Sequence, residues 1–189
     1  YYTETGEEQP VKIHIAQGTV NGYFDKANHT KEDWSRLLNA ATYADFDVVG
    51  QYAVLTFRTE AFKQFTPDGM ALINKYDDLV YQQQDFMGLV KYNKMFKNKA
   101  HFLVVDEGFM YAGGYHTGYH ADTQKEILNL DLLSTTAVWG PAHELGHTHQ
   151  TLPGLRWAGM AEVTNNIHSL YIQTLWGNTS RLIEDDRYN

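Results

Sequence analysis

"HELGHTHQ", residues 143–150, is the stretch on which the reading of this chain turns. On an α-helix, residues four apart point the same way, so His143 and His147 can offer imidazole nitrogens to one metal ion. Glu144 sits one residue round, beside the metal's open side, where a carboxylate can take a proton from water. The neighbours suit a helix: Pro141 fits a first turn, and Ala142, Leu145 and Gly146 allow close packing. With 9 His and 10 Glu in 189 residues, an HExxH is expected by chance only roughly 0.02 times, so the pattern is read as a zinc motif. His149 cannot share the face of His147, because two residues along a helix is a rotation of about 200°. It is read as a residue behind the ligands or in the cleft.

A catalytic zinc site takes three protein ligands, and the stretch supplies two. Downstream, "TLPGLRW" (151–157) is a Pro-Gly loop, and "AGMAEVTNNIHSLYIQTLW" (158–176) is a second helical pattern. Its apolar stripe runs through Met160, Val163, Ile167, Leu170, Tyr171 and Leu175, predicting a helix that packs with that face inward. Glu162 lies about one turn in, and a carboxylate held against an apolar surface wants a cation. It is the expected third ligand; His168, the rival, lies too far along the helix. A His143, His147, Glu162 set with Glu144 as base is the gluzincin arrangement, one Zn2+ per chain.

Working outward, the chain reads as α+β: a mixed sheet, a zincin-type active-site helix and a second, zinc-ligand helix. Residues 1–10 are a polar linker or frayed start, and 11–189 form one catalytic unit. "VKIHIA" (11–16) alternates like a strand, with His14 facing solvent. Thr30 is placed to cap a short helix through Trp34, Leu37, Leu38 and Ala41. "DVVGQYAVLTF" (47–57) reads as a strand or hairpin, Thr66 to about Leu89 as a long helix, and "HFLVVD" (101–106) as a buried strand. Lys91, Lys94, Lys97 and Lys99 form a basic run, read as a solvated loop or helix end. "GFMYAGGYHTGYHAD" (108–122) looks too irregular for a core element, and a short helix follows near 124–133.

Composition narrows the function classes. A net charge of −8 and a pI near 5.5 argue against nucleic-acid binding. No apolar run approaches the ~20 residues of a membrane span. With no cysteine, any metal must be held by His, Asp or Glu. The 13 Tyr, 9 Phe and 4 Trp are read first as core and packing residues, while an excess of Tyr and Trp also suits carbohydrate or peptide surfaces.

"WGPAHELGHTHQ" followed by "MAEVTNNIHSLY" resembles the enhancin-like zinc metallopeptidases, a family that includes mucin-degrading proteases. "GTVNGYFDKANHTKEDWSRLL" and "MYAGGYHTGYHAD" are similar to its upstream segments, although the second is richer in histidine than the family pattern. The resemblance implies His143, His147 and Glu162 as zinc ligands and Glu144 as general base. It implies backbone cleavage of glycoproteins, mucin-type O-glycosylated chains above all, by a bacterial enzyme that is secreted or at the cell surface, outer-membrane anchored or periplasmic. Catalytic domains of the family continue well past the second zinc helix, which implies that this chain is truncated at its C-terminal side.

The expected chemistry is metal-assisted peptide hydrolysis. A developing oxyanion needs a second donor, and Tyr115, His116, Tyr119 and His120 are the candidates, as oxyanion or cleft residues. His116 and His120 are also four apart, so a second metal site is a minor alternative. Two rival functions remain: a non-catalytic glycan- or protein-binding domain on a peptidase scaffold, and a zinc hydrolase of small molecules. An intact Glu144 argues against the first, since a binder needs no base.

Overall fold

Alternation organises the sheet. In the hairpin β2 (Asp45–Val49) and β3 (Ala53–Arg58), Phe46, Val48, Ala53, Leu55 and Phe57 are fully buried, while Asp47, Val54, Thr56 and Arg58 turn to the other, more open face. The computed structural model describes residues 12–152 and 154–184. Among them, β1 (Phe24–Asp25), β4 (Ala100–Val105), β5 (Met110–Ala112) and β6 (His116–His120) complete a six-stranded sheet in the order β1-β2-β3-β4-β6-β5. β2/β3 and β5/β6 are antiparallel and the other pairs parallel, so the sheet is mixed.

The helices are α1 (Asp33–Asn39), α2 (Thr59–Phe65), α3 (Gly69–Phe86), α4 (Gln124–Ile127), α5 (Leu130–Ser134), α6 (Trp139–His149), α7 (Ala161–Leu175) and α8 (Arg181–Glu184). α3 is the long crossover between the parallel strands β3 and β4, started by Asp68, whose side chain accepts from the Ala71 N–H. It buries Leu72, Ile73, Tyr76, Leu79 and Val80, a stripe at helical spacing, under the sheet. At one end of this core, Trp34 meets Phe24, Phe46 and Phe62 edge-on, with ring centroids 5.3–6.1 Å apart. The α+β reading with a mixed sheet holds, as do the hairpin, the long helix, the strand at 101–106 and the two C-terminal helices.

Several expectations do not. Lys12–Ala16 form no strand: they pair with no strand of the sheet, and Ile13 and Ile15 are exposed, so the alternation has no face to bury. Thr30 does not cap α1: the Asp33 carboxylate accepts from its N–H and hydroxyl instead, the ionised acceptor outcompeting a hydroxyl. Residues 124–133 form two helical turns, split by Asn129, whose side chain accepts from Asp131 and Leu132 N–H. The segment at 108–122 is the largest correction. It contains the edge strand β5 and the interior strand β6, and Tyr119 is fully buried. Gly118 makes this pairing possible: a Cβ there would lie 2.6 Å from Cζ of Tyr111 on β5. The expectation for residues 1–10, and for Val11, falls outside the described residues.

Candidate metal centre

α6 runs under the edge of the sheet at β5 and β6 and buries Ala142, Glu144, Leu145 and His149. The repeat of the helix leaves His143 and His147 on its outer side, half-buried, with ring centroids 4.7 Å apart. α7 crosses this helix closely, and Gly146 is the reason it can. A Cβ at 146 would lie 3.0 Å from the His168 Cβ and would run into the Asn165 side-chain oxygen. At so close an approach α7 turns its polar side inward. Asn165 donates to the His143 carbonyl at 2.6 Å and Ser169 donates to the Trp139 carbonyl at 3.3 Å.

The predicted inward stripe is met only in part: Leu170 and Tyr171 are half-buried, Tyr171 stacking on Phe86, and the rest of the stripe is turned out. Val163, Ile167 and Leu175 are 56%, 41% and 46% exposed, while Thr164, Asn165, His168, Ser169 and Gln173 are buried. Backbone carbonyls and a glycine on α6 select small polar partners over bulky apolar ones, which hydropathy alone does not register.

The crossing carries Glu162 to the two histidines. Its Oε2 lies 3.1 Å from His143 Nε2 and 3.2 Å from His147 Nε2, and the two Nε2 atoms are 3.1 Å apart. Metal–ligand bonds of 2.0–2.1 Å in a tetrahedron put ligand atoms about 3.3 Å from one another, so the triangle is the right size for a zinc ion. Hydrogen bonding on the far side of each ring agrees. Gln150 Nε2 donates to the Ala161 carbonyl and to Thr164 Oγ1, so its Oε1 is the acceptor for His147 Nδ1–H at 3.1 Å. His143 Nδ1 likewise meets Asn166 Oδ1 at 2.9 Å. With the ring protons on Nδ1, three electron-pair donors converge with no proton between them, an arrangement that a cation satisfies.

Glu144 also comes within 4.8 Å of both histidines. The tighter triangle is with Glu162, and burial separates the two carboxylates further. Glu144 is 8% exposed, and burial pushes its pKa up, against the pull of His143 and His147 and with the help of Glu162. Glu162 has an exposed side chain; what burial it has works against the charged form, but His147 and His143 outweigh that and hold its pKa below the ordinary value. The expectation of a buried Glu162 is thus corrected.

These groups open on a cavity of about 570 Å³ whose other walls include Tyr111, Gly113, Gly114, Thr148 and Arg156. None of the four candidate oxyanion or cleft residues lines it. Tyr119 is packed in the core between Phe57 and Phe102. Tyr115, 82% exposed, and His116 line an adjoining cavity. His120 is the last residue of β6, at the end of the strand away from the β5–β6 turn, its Nδ1 accepting from the Asp122 N–H. Four residues on a strand span about 13 Å, so His116 and His120 cannot share a metal ion. Tyr111 and Arg156 are the cleft residues that the sequence reading missed; the period-2 pattern of the edge strand marks Tyr111, and nothing local marks Arg156. His149 is buried as expected, its Nδ1 on Gln83 Oε1 at 2.9 Å, and it does not reach the triangle.

Comparison with known proteins places the fold among its relatives. The sequence profile of the family described as peptidase M60, enhancin and enhancin-like matches residues 18–186. A conserved protein of unknown function from Bacillus anthracis superposes with a TM-score of 0.83 at 33% identity, over 92% of this chain and 38% of its own. A metallopeptidase solved in complex with Tn antigen gives a TM-score of 0.76 at 29% identity, over 88% of this chain and 32% of its own. The TRPM8 channel-associated factor homolog of Xenopus laevis is 23% identical over 86% of this chain and 18% of its own length. The chain therefore spans well under half of these relatives. It belongs to the peptidase M60, enhancin and enhancin-like family of metallopeptidases.

Proposed function

We propose that residues 11–189 are the catalytic part of a zinc-dependent endopeptidase that cuts the backbone of mucin-type O-glycosylated proteins. The observation that carries this reading is the triangle of His143, His147 and Glu162 atoms, 3.1–3.2 Å apart, beside a buried Glu144. Zinc held there would supply a Lewis acid for the scissile carbonyl and lower the pKa of the attacking water. Glu144 accepts the proton of that water and returns it to the leaving amine, a role that its raised pKa suits. Asn166 and Gln150 hold the two imidazoles in the tautomer that leaves Nε2 free. Arg156, on the cavity wall, is the cation available to orient a substrate carbonyl.

The substrate class is supported by the relative bound to Tn antigen, a likeness that extends over 88% of this chain. Export to the cell surface and a bacterial source belong to the same proposal. Among the described residues no helix is long and apolar enough to cross a membrane. A second reading, a non-catalytic protein-binding domain, is favoured by one observation, the name of the Xenopus relative as a channel-associated factor. Incubation of the zinc-loaded protein with a mucin and with its deglycosylated form separates the readings. Cleavage of the glycosylated form alone is expected, whereas no cleavage of either favours the binding domain. Elemental analysis of Glu162→Ala checks the ligand set, and an undiminished zinc content removes Glu162 from it.

A further inference from the structure

A second cavity, of about 660 Å³, adjoins the metal cavity across the β5–β6 turn, and Gly114 and Thr148 line both. Two features of the sequence that the metal centre leaves unused meet there: the lysine run, through Lys97 and Lys99, and the Tyr115–His116 pair. The loop bearing the lysines is fixed to α3, since the Phe96 N–H donates to Gln84 Oε1 at 2.9 Å. Lys99 donates to the Gly50 carbonyl, which holds its ammonium in place without neutralising it. Phe96 and Tyr115, 47% and 82% exposed, offer two ring faces.

Among the described residues no carboxylate lines this cavity, although the chain as a whole carries a net charge of −8. The Lys97 side chain, with Lys99 held beside it, and the two aromatic faces make a pocket for an anionic, partly apolar group.

We propose that this cavity is a substrate subsite that takes a carboxylate-bearing residue next to the scissile bond, either an acidic sugar or an acidic amino-acid side chain. The proposal rests on the peptidase reading for its substrate, and its test does not require turnover. Binding is measured by calorimetry on zinc-loaded Glu144→Gln protein, with two matched pairs of ligands. One pair is an O-glycopeptide with and without terminal N-acetylneuraminic acid; the other is a glycopeptide with Glu or Gln flanking the glycosylated residue.

In one pair the acidic member is expected to bind at least about threefold tighter, a preference that shrinks as salt is added and disappears in Lys97→Glu. Preference in the sugar pair places the acid on the glycan, and preference in the peptide pair places it on the backbone. Tyr115→Ala should weaken both members of the responsive pair. Equal binding within both pairs, or a preference that survives Lys97→Glu, would overturn the proposal. Acid-selective binding without any cleavage by the wild type would overturn the peptidase reading and leave the anionic pocket standing.

Discussion

Asn166 and Gln150 give the histidine pair its direction. Each presents a carboxamide oxygen to an imidazole Nδ1, at 2.9 and 3.1 Å, and so aims the opposite nitrogen at the Glu162 carboxylate. Partners of this kind are worth about 10- to 100-fold in metal affinity. Asn166→Ala or Gln150→Ala is therefore expected to weaken zinc binding by about that factor in a competition titration with a chelating dye, with the fold unchanged by circular dichroism. Unaltered affinity in both variants would mean that the rings are oriented by packing alone. The helical part of the proposed site was legible in the sequence because helical spacing encodes it: His143, Glu144 and His147 lie on one turn and a half. Glu162 was legible as a carboxylate on the next helix, although for the wrong reason, since its side chain is exposed. Arg156 was not legible, because a cleft wall is assembled by tertiary packing and leaves no local signal, while Tyr111 is marked only by the alternation of a strand that reads as irregular.

Gly146 decides how the two helices meet. A methyl at this position would press on the His168 Cβ at 3.0 Å and on the Asn165 side chain, at the place where Asn165 is bonded to the His143 carbonyl. Overpacking of this kind costs about 1–3 kcal/mol. Gly146→Ala should therefore lower the unfolding free energy by about that amount, and weaken zinc binding as Glu162 is pushed from the histidines. Denaturant unfolding and the dye titration read the two effects. A loss of stability with intact zinc affinity would show that the triangle tolerates the shift. The polar inward face of α7 and the interior position of β6 follow from the same physics. Hydropathy reports the solvent preference of a side chain, whereas Thr164, Asn165 and Ser169 are inside because α6 offers carbonyls and room for small groups. Similarly, β6 reads "HTGYH" and is interior because Tyr111 covers Gly118 and Tyr119 fills the core.

At the scale of the molecule, the α+β class, the hairpin, the crossover helix and the helix pair could be read from periodicity, while the strand order could not, since pairing is set by long-range contacts. One global property follows from a buried base behind the metal centre. His168 is fully buried, neither ring nitrogen has a hydrogen-bond partner among the described residues, and burial lowers its pKa to about 4, with His147 adding to the effect. Between that value and the unfolded value near 6.5, the unfolded chain binds the extra proton more readily. The stabilising contribution is complete above about pH 6.5 and is lost as pH falls toward 4, by about 3 kcal/mol in total. His149, lowered by burial to about 3, adds in the same direction. Tm is expected to fall over this window, and to fall less in His168→Leu, which leaves no donor or acceptor unpaired. Equal slopes for the two proteins would remove His168 as a source.

The central claim is that Glu144 works on a peptide bond beside a metal held by His143, His147 and Glu162. Its most direct test is the rate at which zinc-loaded wild type and Glu144→Gln cut an O-glycosylated peptide, followed by mass spectrometry with zinc content measured on the same samples. The account expects one zinc per chain in both proteins and a rate about 10²- to 10⁴-fold lower in the variant. Equal rates in the two proteins, or no cleavage by the zinc-loaded wild type, would contradict it.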